Sequence, residues 1–141
     1  MLGKTDGASH HEVAVAGLFD DANRVLLVRT RRLPGFWQPA GGRVQPEDPT
    51  PLDALTRELR EELQLEMDRE AFRPELVTSH DLGPGRVHFF SAKLDDPDKI
   101  EADYQEIIEM RWFPLATALE LRAFPATSKF LKALASRENH T

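Results

Sequence analysis

The sequence contains no cysteine among its 141 residues, which excludes disulfide bonds, thiolate metal sites and cysteine nucleophiles. It also has no apolar stretch that approaches the roughly 18 residues needed to cross a bilayer. Residues Met1–His11 are polar and lack the apolar segment of a secretory signal peptide. These absences predict a cytoplasmic protein that does not enter a membrane.

Basic residues are in the minority, because 18 lysines and arginines stand against 24 acidic residues and the formal net charge is −6. Proteins that bind polymeric nucleic acid need a basic surface to displace counterions, so this class is not expected. An acidic protein can still bind a small phosphorylated ligand when metal ions screen the repulsion. Because 40% of its residues are hydrophobic, the chain can fill one core. We therefore expect one domain over residues 1–141, with residues 1–10 flexible.

Apolar periodicity and turn residues predict the element order β-β-β-α-β-β-β-α-α. The strands are expected at Glu12–Phe19, Arg24–Thr30, a short extended piece at Phe36–Gln38, Pro74–Asp81, Arg86–Leu94 and Ile107–Phe113. The helices are expected at Thr50–Leu63, Leu115–Arg122 and Ala126–Arg137. Thr50 is a suitable N-cap for the first helix, with Pro51 at its first position and Asp53 three residues after the cap. This order predicts an α/β fold in which helices cover both faces of a mixed sheet.

The first predicted helix carries three glutamates, Glu58, Glu61 and Glu62, on one face, because residues three and four apart are neighbours on a helix. Such carboxylates repel one another by a few tenths of a kcal/mol per pair. A hard dication such as Mg²⁺ or Mn²⁺ would convert this repulsion into coordination, since it prefers oxygen ligands. A run of this kind is also typical of a solvated acidic face, so its sequence context must decide.

The context is Gly41-Gly42, which precedes the helix and allows backbone groups to approach a ligand or metal closely. The segment Gly42–Leu65, GRVQPEDPTPLDALTRELREELQL, resembles the Nudix box, the loop-helix motif of the Nudix (MutT-type) hydrolases. The strand order and the later segment Arg111-Trp112-Phe113 fit the same family over nearly the whole chain. The resemblance implies a Nudix α/β/α sandwich and metal-dependent cleavage of phosphoanhydride bonds.

The resemblance also implies roles for the residues of the box. Glu61 and Glu62 would bind Mg²⁺ or Mn²⁺, and Glu58 would be a further ligand or the base that activates water. The carbonyl group of Gly41 would be an additional metal ligand. Arg57 would orient the glutamates through ion pairs, the alternative being an ordinary surface arginine.

Residues outside the box add candidates. Glu106 lies six residues before the second tryptophan, where many Nudix enzymes carry a glutamate that binds metal or serves as base; a plain surface acid is the alternative. Arg29, Arg31 and Arg32 could bind the phosphates farthest from the metal, although a solvated basic turn has the same pattern. Trp37 could stack on a planar group of the substrate, although aromatic residues beside a strand more often belong to the core.

Two positions depart from the family pattern. The loop between Gly42 and Arg57 is one residue longer, so that the first glutamate of the box has two candidate counterparts, Glu47 and Asp48. Gln64 stands where the family has a glycine near the helix end. If that position requires a left-handed conformation, a non-glycine residue costs about 1 kcal/mol there. Neither departure removes a predicted metal ligand.

The predicted function is hydrolysis of nucleoside diphosphate-linked substrates, with (deoxy)nucleoside triphosphates cleaved to the monophosphate and pyrophosphate. ADP-ribose, other nucleotide sugars and dinucleoside polyphosphates are alternative substrates. A non-catalytic Nudix module that senses a nucleotide is an alternative of another class, although such modules are expected to lose the box carboxylates. An isoprenoid diphosphate isomerase is disfavoured because it commonly needs a cysteine. Monomer and homodimer both stay open.

Overall fold

Six strands form one mixed sheet in the computed structural model, which describes residues 12–138. The strands are β1 (Val13–Phe19), β2 (Arg24–Thr30), β3 (Ala40–Arg43), β4 (Arg73–Ser79), β5 (Arg86–Lys93) and β6 (Ile107–Pro114). The helices are α1 (Pro51–Leu63), α2 (Leu115–Ala118) and α3 (Pro125–Glu138), with 3₁₀ turns at Arg69–Ala71 and Pro97–Lys99. The expected flexibility of residues 1–10 lies outside the described residues.

The sheet has the order β4-β5-β1-β2-β6, and β3 pairs with β1. The pair β1 and β5 is parallel, whereas the other strand pairs are antiparallel. Between residues 12 and 138 no helix is long and apolar enough to cross a membrane. The parallel pair brings the start of β1 beside the start of β5, and this end of the sheet carries the site described below.

Strand β1 is buried on both faces because helices cover each side of the sheet. Ala14, Ala16 and Leu18 pack with the buried face of α1. Val15 belongs to the core on the other side of the sheet, with residues of α2 and with Phe130 of α3. The apolar face of α1 is completed by three fully buried leucines, Leu55, Leu59 and Leu63. Burial of each leucine contributes about 1.5–3 kcal/mol. The predicted α/β/α sandwich is confirmed.

The N-terminus of α1 is capped as predicted. The Thr50 hydroxyl oxygen accepts a hydrogen bond from the Asp53 backbone N–H at 3.2 Å and donates its own hydrogen to the Asp53 carboxylate at 2.7 Å. Pro51 occupies the first turn, where a missing N–H removes no helical hydrogen bond. The start of α1, the helix that carries the three glutamates, is therefore determined by local sequence.

The C-terminus of α1 ends in the left-handed conformation that the family's glycine would favour. Gln64 has φ 54° and ψ 36°. Its N–H donates to the Arg60 carbonyl at 3.1 Å, and the Leu65 N–H donates to the Leu59 carbonyl at 3.2 Å. The first bond is that of an αL C-capping motif, and together the two bonds satisfy the carbonyl groups of Arg60 and Leu59 in the last turns of the helix.

The third strand lies further along the chain than predicted. Residues 36–38 are not a strand, although Gln38 forms an isolated bridge with Val28. Strand β3 instead includes both glycines, and Gly41 has φ +142°. A Cβ atom at Gly41 would lie 2.2 Å from the Ala14 carbonyl oxygen, so only glycine fits this close approach to β1. Periodicity could not indicate the strand, because glycine is depleted in strands in general.

The helix predicted for residues 115–122 is shorter than expected. It ends at Ala118, and the next hydrogen bonds are of the i→i+3 type, from Glu120 to Thr117 and from Leu121 to Ala118. The Arg122 carbonyl then accepts a hydrogen bond from the Trp37 N–H at 2.9 Å, so it is used outside any helix. The last helix begins at Pro125, one residue earlier than predicted.

Candidate active site

A cavity of about 660 Å³ opens at the end of the sheet where β1, β3 and β5 meet. Its polar part is formed by the two glycines of β3, the α1 glutamates, the loop after β2 and the loop before β6. Its remaining walls come from the β4–β5 loop and the start of α3. Four side chains form an apolar floor, since the parallel register places Val13 beside Val87 and Val15 beside Phe89. The cavity therefore joins a charged region to an apolar one.

The three α1 glutamates line the charged region of the cavity, to different depths. Glu62 is only 9% exposed, and the side chains of Glu58 and Glu61 are 13% and 56% exposed. Glu58 lies against β3, because a Cβ atom at Gly42 would be 2.5 Å from its carboxyl carbon. The glycine pair thus leaves the space that the Glu58 carboxyl group occupies.

Burial makes ionisation of two glutamates unfavourable. Removal from water, followed by the negative charges of Glu58 and Glu106, raises the pKa of Glu62 to about 8. Burial also raises the pKa of Glu58, against the opposing effect of the neighbouring Arg57. Glu58 and Glu62 are joined by a side-chain hydrogen bond, and the Gly41 N–H donates to Glu62. Two carboxyl groups in contact therefore share a proton at neutral pH unless a cation neutralises them.

Arg57 braces two of these glutamates. Its Nη1 atom donates to Glu58 Oε2 at 3.1 Å and to Glu61 Oε1 at 3.3 Å. Its Nη2 atom donates to the Arg43 carbonyl at 3.1 Å, which links the helix to the end of β3. The side-chain hydrogen bond with Asp48 raises the pKa of Arg57 still further, so the guanidinium is a permanent cation.

Asp48 is the loop acid that contacts this arginine. Arg57 Nε donates to Asp48 Oδ1 at 3.1 Å and Nη2 to Oδ2 at 2.8 Å, a two-point contact typical of arginine and carboxylate. The same contact lowers the pKa of Asp48. Glu47 is exposed. Of the two candidate counterparts of the first box glutamate, Asp48 therefore has the geometry to orient Arg57.

Glu106 lines the cavity from the loop before β6, and its charge contributes to the raised pKa of Glu62. Arg31 and Arg32 also line the cavity. The structure thus brings Glu106, Arg31 and Arg32 to the same cavity as the box glutamates. Strand β2 and the segment before β6 could not be placed beside α1 from sequence spacing alone.

Arg29 and Trp37 lie elsewhere and are not among the described residues that line the cavity. Arg29 donates to the Glu109 carboxylate at 2.9 and 2.5 Å and to the Pro34 carbonyl at 2.7 Å. Its guanidinium carbon lies 5.4 Å from the centre of the Trp37 ring. Trp37 meets Phe113 edge to face at 5.0 Å and packs against the α3-side core. These contacts give both residues a packing role at the sheet.

A family model described as the NUDIX domain matches residues 8–134. The chain belongs to the NUDIX family. The predicted enzyme class, a Nudix pyrophosphohydrolase, is thereby confirmed at the level of the family. No curated protein matches the chain significantly.

Several solved structures share the fold. The E. coli ORF135 protein is 26% identical with a TM-score of 0.72, and the alignment covers 92% of this chain and 91% of that one. A C. elegans Ap4A hydrolase is 20% identical, with a TM-score of 0.73 and coverage of 92% and 98%. The E. coli dihydroneopterin triphosphate pyrophosphohydrolase is 18% identical, with a TM-score of 0.74 and coverage of 88% and 94%.

The Nudix-box oxygens fit a hard dication by their chemistry. Within residues 12–138 no group of three or more His, Asp or Glu side chains is already arranged as a metal site. Glu58, Glu61 and Glu62 nevertheless supply only carboxylate oxygens, the ligands that Mg²⁺ and Mn²⁺ prefer. The pKa values of Glu58 and Glu62 are raised because burial removes both acids from water, and the ion pair of Glu58 with Arg57 only partly offsets this. A dication would supply further positive charge to this cluster of three carboxyl groups.

The sequence did not indicate the far wall of the cavity. His80, Asp81 and Leu82 line it from the β4–β5 loop, and Phe124 lines it just before α3. The Asp81 carboxylate accepts a hydrogen bond from the Ala126 N–H at 3.1 Å and so ties the loop to the first turn of α3. The sequence could not predict this contact, because Asp81 and its partner Ala126 are 45 residues apart.

Proposed function

We propose that this Nudix enzyme hydrolyses a phosphoanhydride bond in nucleoside diphosphate-linked substrates, and that it cleaves (deoxy)nucleoside triphosphates to the monophosphate and pyrophosphate. The observation that carries the proposal is the cluster of Glu58, Glu61 and Glu62, braced by Arg57 in a cavity that also has an apolar floor. Metal and phosphate would occupy the charged region. The nucleoside would lie over the apolar floor.

Glu58, Glu61 and Glu62 would hold Mg²⁺ or Mn²⁺, with the Gly41 carbonyl as an additional ligand. A bound dication neutralises phosphate charge and makes a nearby water more acidic. Arg57 keeps Glu58 and Glu61 oriented through its ion pairs.

We assign Glu106 the role of general base. Its carboxylate would accept the proton of a water molecule whose oxygen attacks phosphorus. A new P–O bond forms to this oxygen, the bridging P–O bond breaks, and pyrophosphate leaves with the bonding electrons. Arg32, which is exposed and lines the cavity, would bind the outer phosphates.

The volume of the cavity is consistent with one nucleotide, since small-molecule sites commonly enclose about 300–1,000 Å³. The structural likeness to a triphosphate pyrophosphohydrolase and an Ap4A hydrolase makes both substrate types sensible members of a test panel. ADP-ribose and other nucleotide sugars complete the panel. We further propose a cytoplasmic location. We also propose that the protein has no polymeric nucleic-acid partner, in keeping with its net charge of −6.

The test is a screen of purified protein against this panel with Mg²⁺ or Mn²⁺, in which pyrophosphate, phosphate and nucleotide products are followed separately. We expect nucleoside triphosphates to yield monophosphate and pyrophosphate in equal amounts. Release of single phosphates, or a faster reaction with ADP-ribose, would contradict the proposed substrate class.

Nucleotide binding without turnover of any panel member would instead support the non-catalytic module.

Glu62→Gln should lower turnover by about 10²-fold or more, as expected when an essential active-site group is removed. Glu66→Gln is the matched control, because Glu66 follows α1 and its side chain is 76% exposed.

A further inference from the structure

Three hydrogen bonds join Arg31 to the loop that carries Glu106. The Arg31 backbone N–H donates to the Glu106 carbonyl at 2.9 Å. The Arg31 side chain donates from Nε to the Gln105 carbonyl at 2.8 Å and from Nη2 to the Tyr104 carbonyl at 3.0 Å. The guanidinium therefore binds consecutive carbonyls of this loop.

The other end of this loop is attached to the end of α1. The Asp103 N–H donates to the Glu62 carbonyl at 2.7 Å, and the Glu101 N–H donates to the Leu63 carbonyl at 2.9 Å. The Asp103 carbonyl in turn accepts from the Glu106 N–H at 3.0 Å. The loop is thus held between the helix that bears the box glutamates and the arginine that follows β2.

Each of these attachments bears on the position of Glu106. The carboxylate of Glu106 is exposed at the cavity and lies close enough to Glu62 to affect its pKa. A side chain at a loop tip can hold a productive position only if its backbone is held, because exposed loops are otherwise mobile. The helix end attaches residues 101 and 103, whereas Arg31 attaches residues 104 to 106.

We propose that Arg31 is a positioning residue, which holds the Glu106 loop against the active site instead of binding substrate phosphate. The inference rests on the proposed function, in which Glu106 is the base. Arg31→Ala removes the two side-chain hydrogen bonds and leaves the backbone bond to Glu106 in place. The sheet should therefore stay folded while the loop loosens.

The kinetic expectation differs from that for a phosphate ligand. A base displaced by about 1 Å can lose about 10²-fold in rate, so Arg31→Ala should lower kcat about 10–100-fold with little change in KM. Arg31→Lys should recover part of the loss, because an ammonium group can still donate to one or two carbonyls. Arg32→Ala is the matched comparison, since Arg32 lines the same cavity and should mainly raise KM.

A double-mutant cycle tests whether Arg31 acts through Glu106. If it does, Arg31→Ala should cause little further loss of kcat when Glu106 is already glutamine. Losses that multiply in Arg31→Ala/Glu106→Gln would overturn the inference, and so would a raised KM with unchanged kcat in Arg31→Ala. Wild-type kcat in Glu106→Gln, with Glu62→Gln inactive, would also overturn it while the hydrolase function stands.

Amide hydrogen exchange supplies a readout that does not depend on turnover. In Arg31→Ala, the amides of Glu106 and Ile107, both bonded to the Asp103 carbonyl, should exchange faster while the β1 amides keep their protection. Unchanged exchange at these two amides would overturn the anchoring role. If the wild-type protein turned over no nucleotide, the proposed function would fail, and faster loop exchange would still support the anchor.

Discussion

Replacement of Glu62 by glutamine should stabilise the metal-free protein at high pH and should weaken the stabilisation that a metal ion provides. In the metal-free protein the pKa of Glu62 is raised from 4.5 to about 8. The unfolded chain gives up this proton near pH 4.5, whereas the folded chain keeps it up to about pH 8. Protonated Glu62 therefore keeps the free energy of unfolding at its highest below pH 4.5. The free energy of unfolding decreases as the pH rises from there to about 8.

The size of this effect follows from the difference in pKa. Each unit corresponds to about 1.4 kcal/mol, so the ionised Glu62 destabilises the metal-free fold by at most about 5 kcal/mol above pH 8. Glutamine carries no charge, and its carbonyl oxygen can still accept the hydrogen bond from Gly41. Glu62→Gln should thus be more stable than wild type at pH 9 in EDTA, and close to wild type at pH 4.5.

A saturating dication should reduce the stability difference between Glu62→Gln and wild type. Wild type gains about 2.7 kcal/mol when the free metal concentration is 100 times its Kd, whereas Glu62→Gln, with one ligand charge removed, gains less. Urea unfolding at pH 4.5, 7 and 9, in EDTA or in Mg²⁺, measures both effects. Glu66→Gln should follow wild type in every condition. A Glu62→Gln variant that is less stable than wild type at pH 9 in EDTA would refute the reasoning.

Three further predictions concern the residues around the site. Gly42→Ala should reduce kcat and Mg²⁺ affinity about 10-fold or more, because its Cβ would meet the Glu58 carboxyl group, whereas Gly35→Ala, with its nearest contact at 3.8 Å, should not. Asp81→Ala should lower the free energy of unfolding by about 1 kcal/mol through loss of the α3 cap, and Asp81→Asn should keep most of it. Gln64→Gly should raise the free energy of unfolding by up to about 1 kcal/mol, since φ is 54°; equal urea midpoints would contradict this.

The parts of the site that lie on one helix could be predicted from sequence. Thr50 and Asp53 determine where α1 begins, and the helical period then places Glu58, Glu61 and Glu62 on one face. Caps and period are local properties, so no knowledge of the rest of the fold is needed. Burial is not local. The pKa of Glu62 depends on how deeply the helix packs, which only the structure provides.

The parts of the site contributed by other segments could not be predicted in this way. Arg29, Arg31 and Arg32 are close together in the sequence, so the sequence alone does not distinguish their roles. In the structure Arg29 pairs with Glu109 outside the cavity, whereas Arg31 binds loop carbonyls. Alternation along β2 cannot tell which arginine points toward α1. A bulge between Arg29 and Thr30 shifts the register of β2 against β6. The alternation of side chains along β2 therefore cannot be extended to the arginines that follow the bulge.

The longer loop before α1 shows how an irregular spacing can preserve a contact. Asp48 closes a turn on Gln45, because its N–H donates to the Gln45 carbonyl at 2.9 Å and its Oδ2 accepts the Gln45 N–H at 2.8 Å. The turn takes up chain length, and the Asp48 side chain contacts Arg57 of α1. A side chain one methylene shorter than glutamate then reaches both Nε and Nη2 of Arg57. The longer loop thus goes together with a shorter acidic side chain. Arg57 has a carboxylate partner at two of its nitrogens while its third nitrogen donates to Glu58.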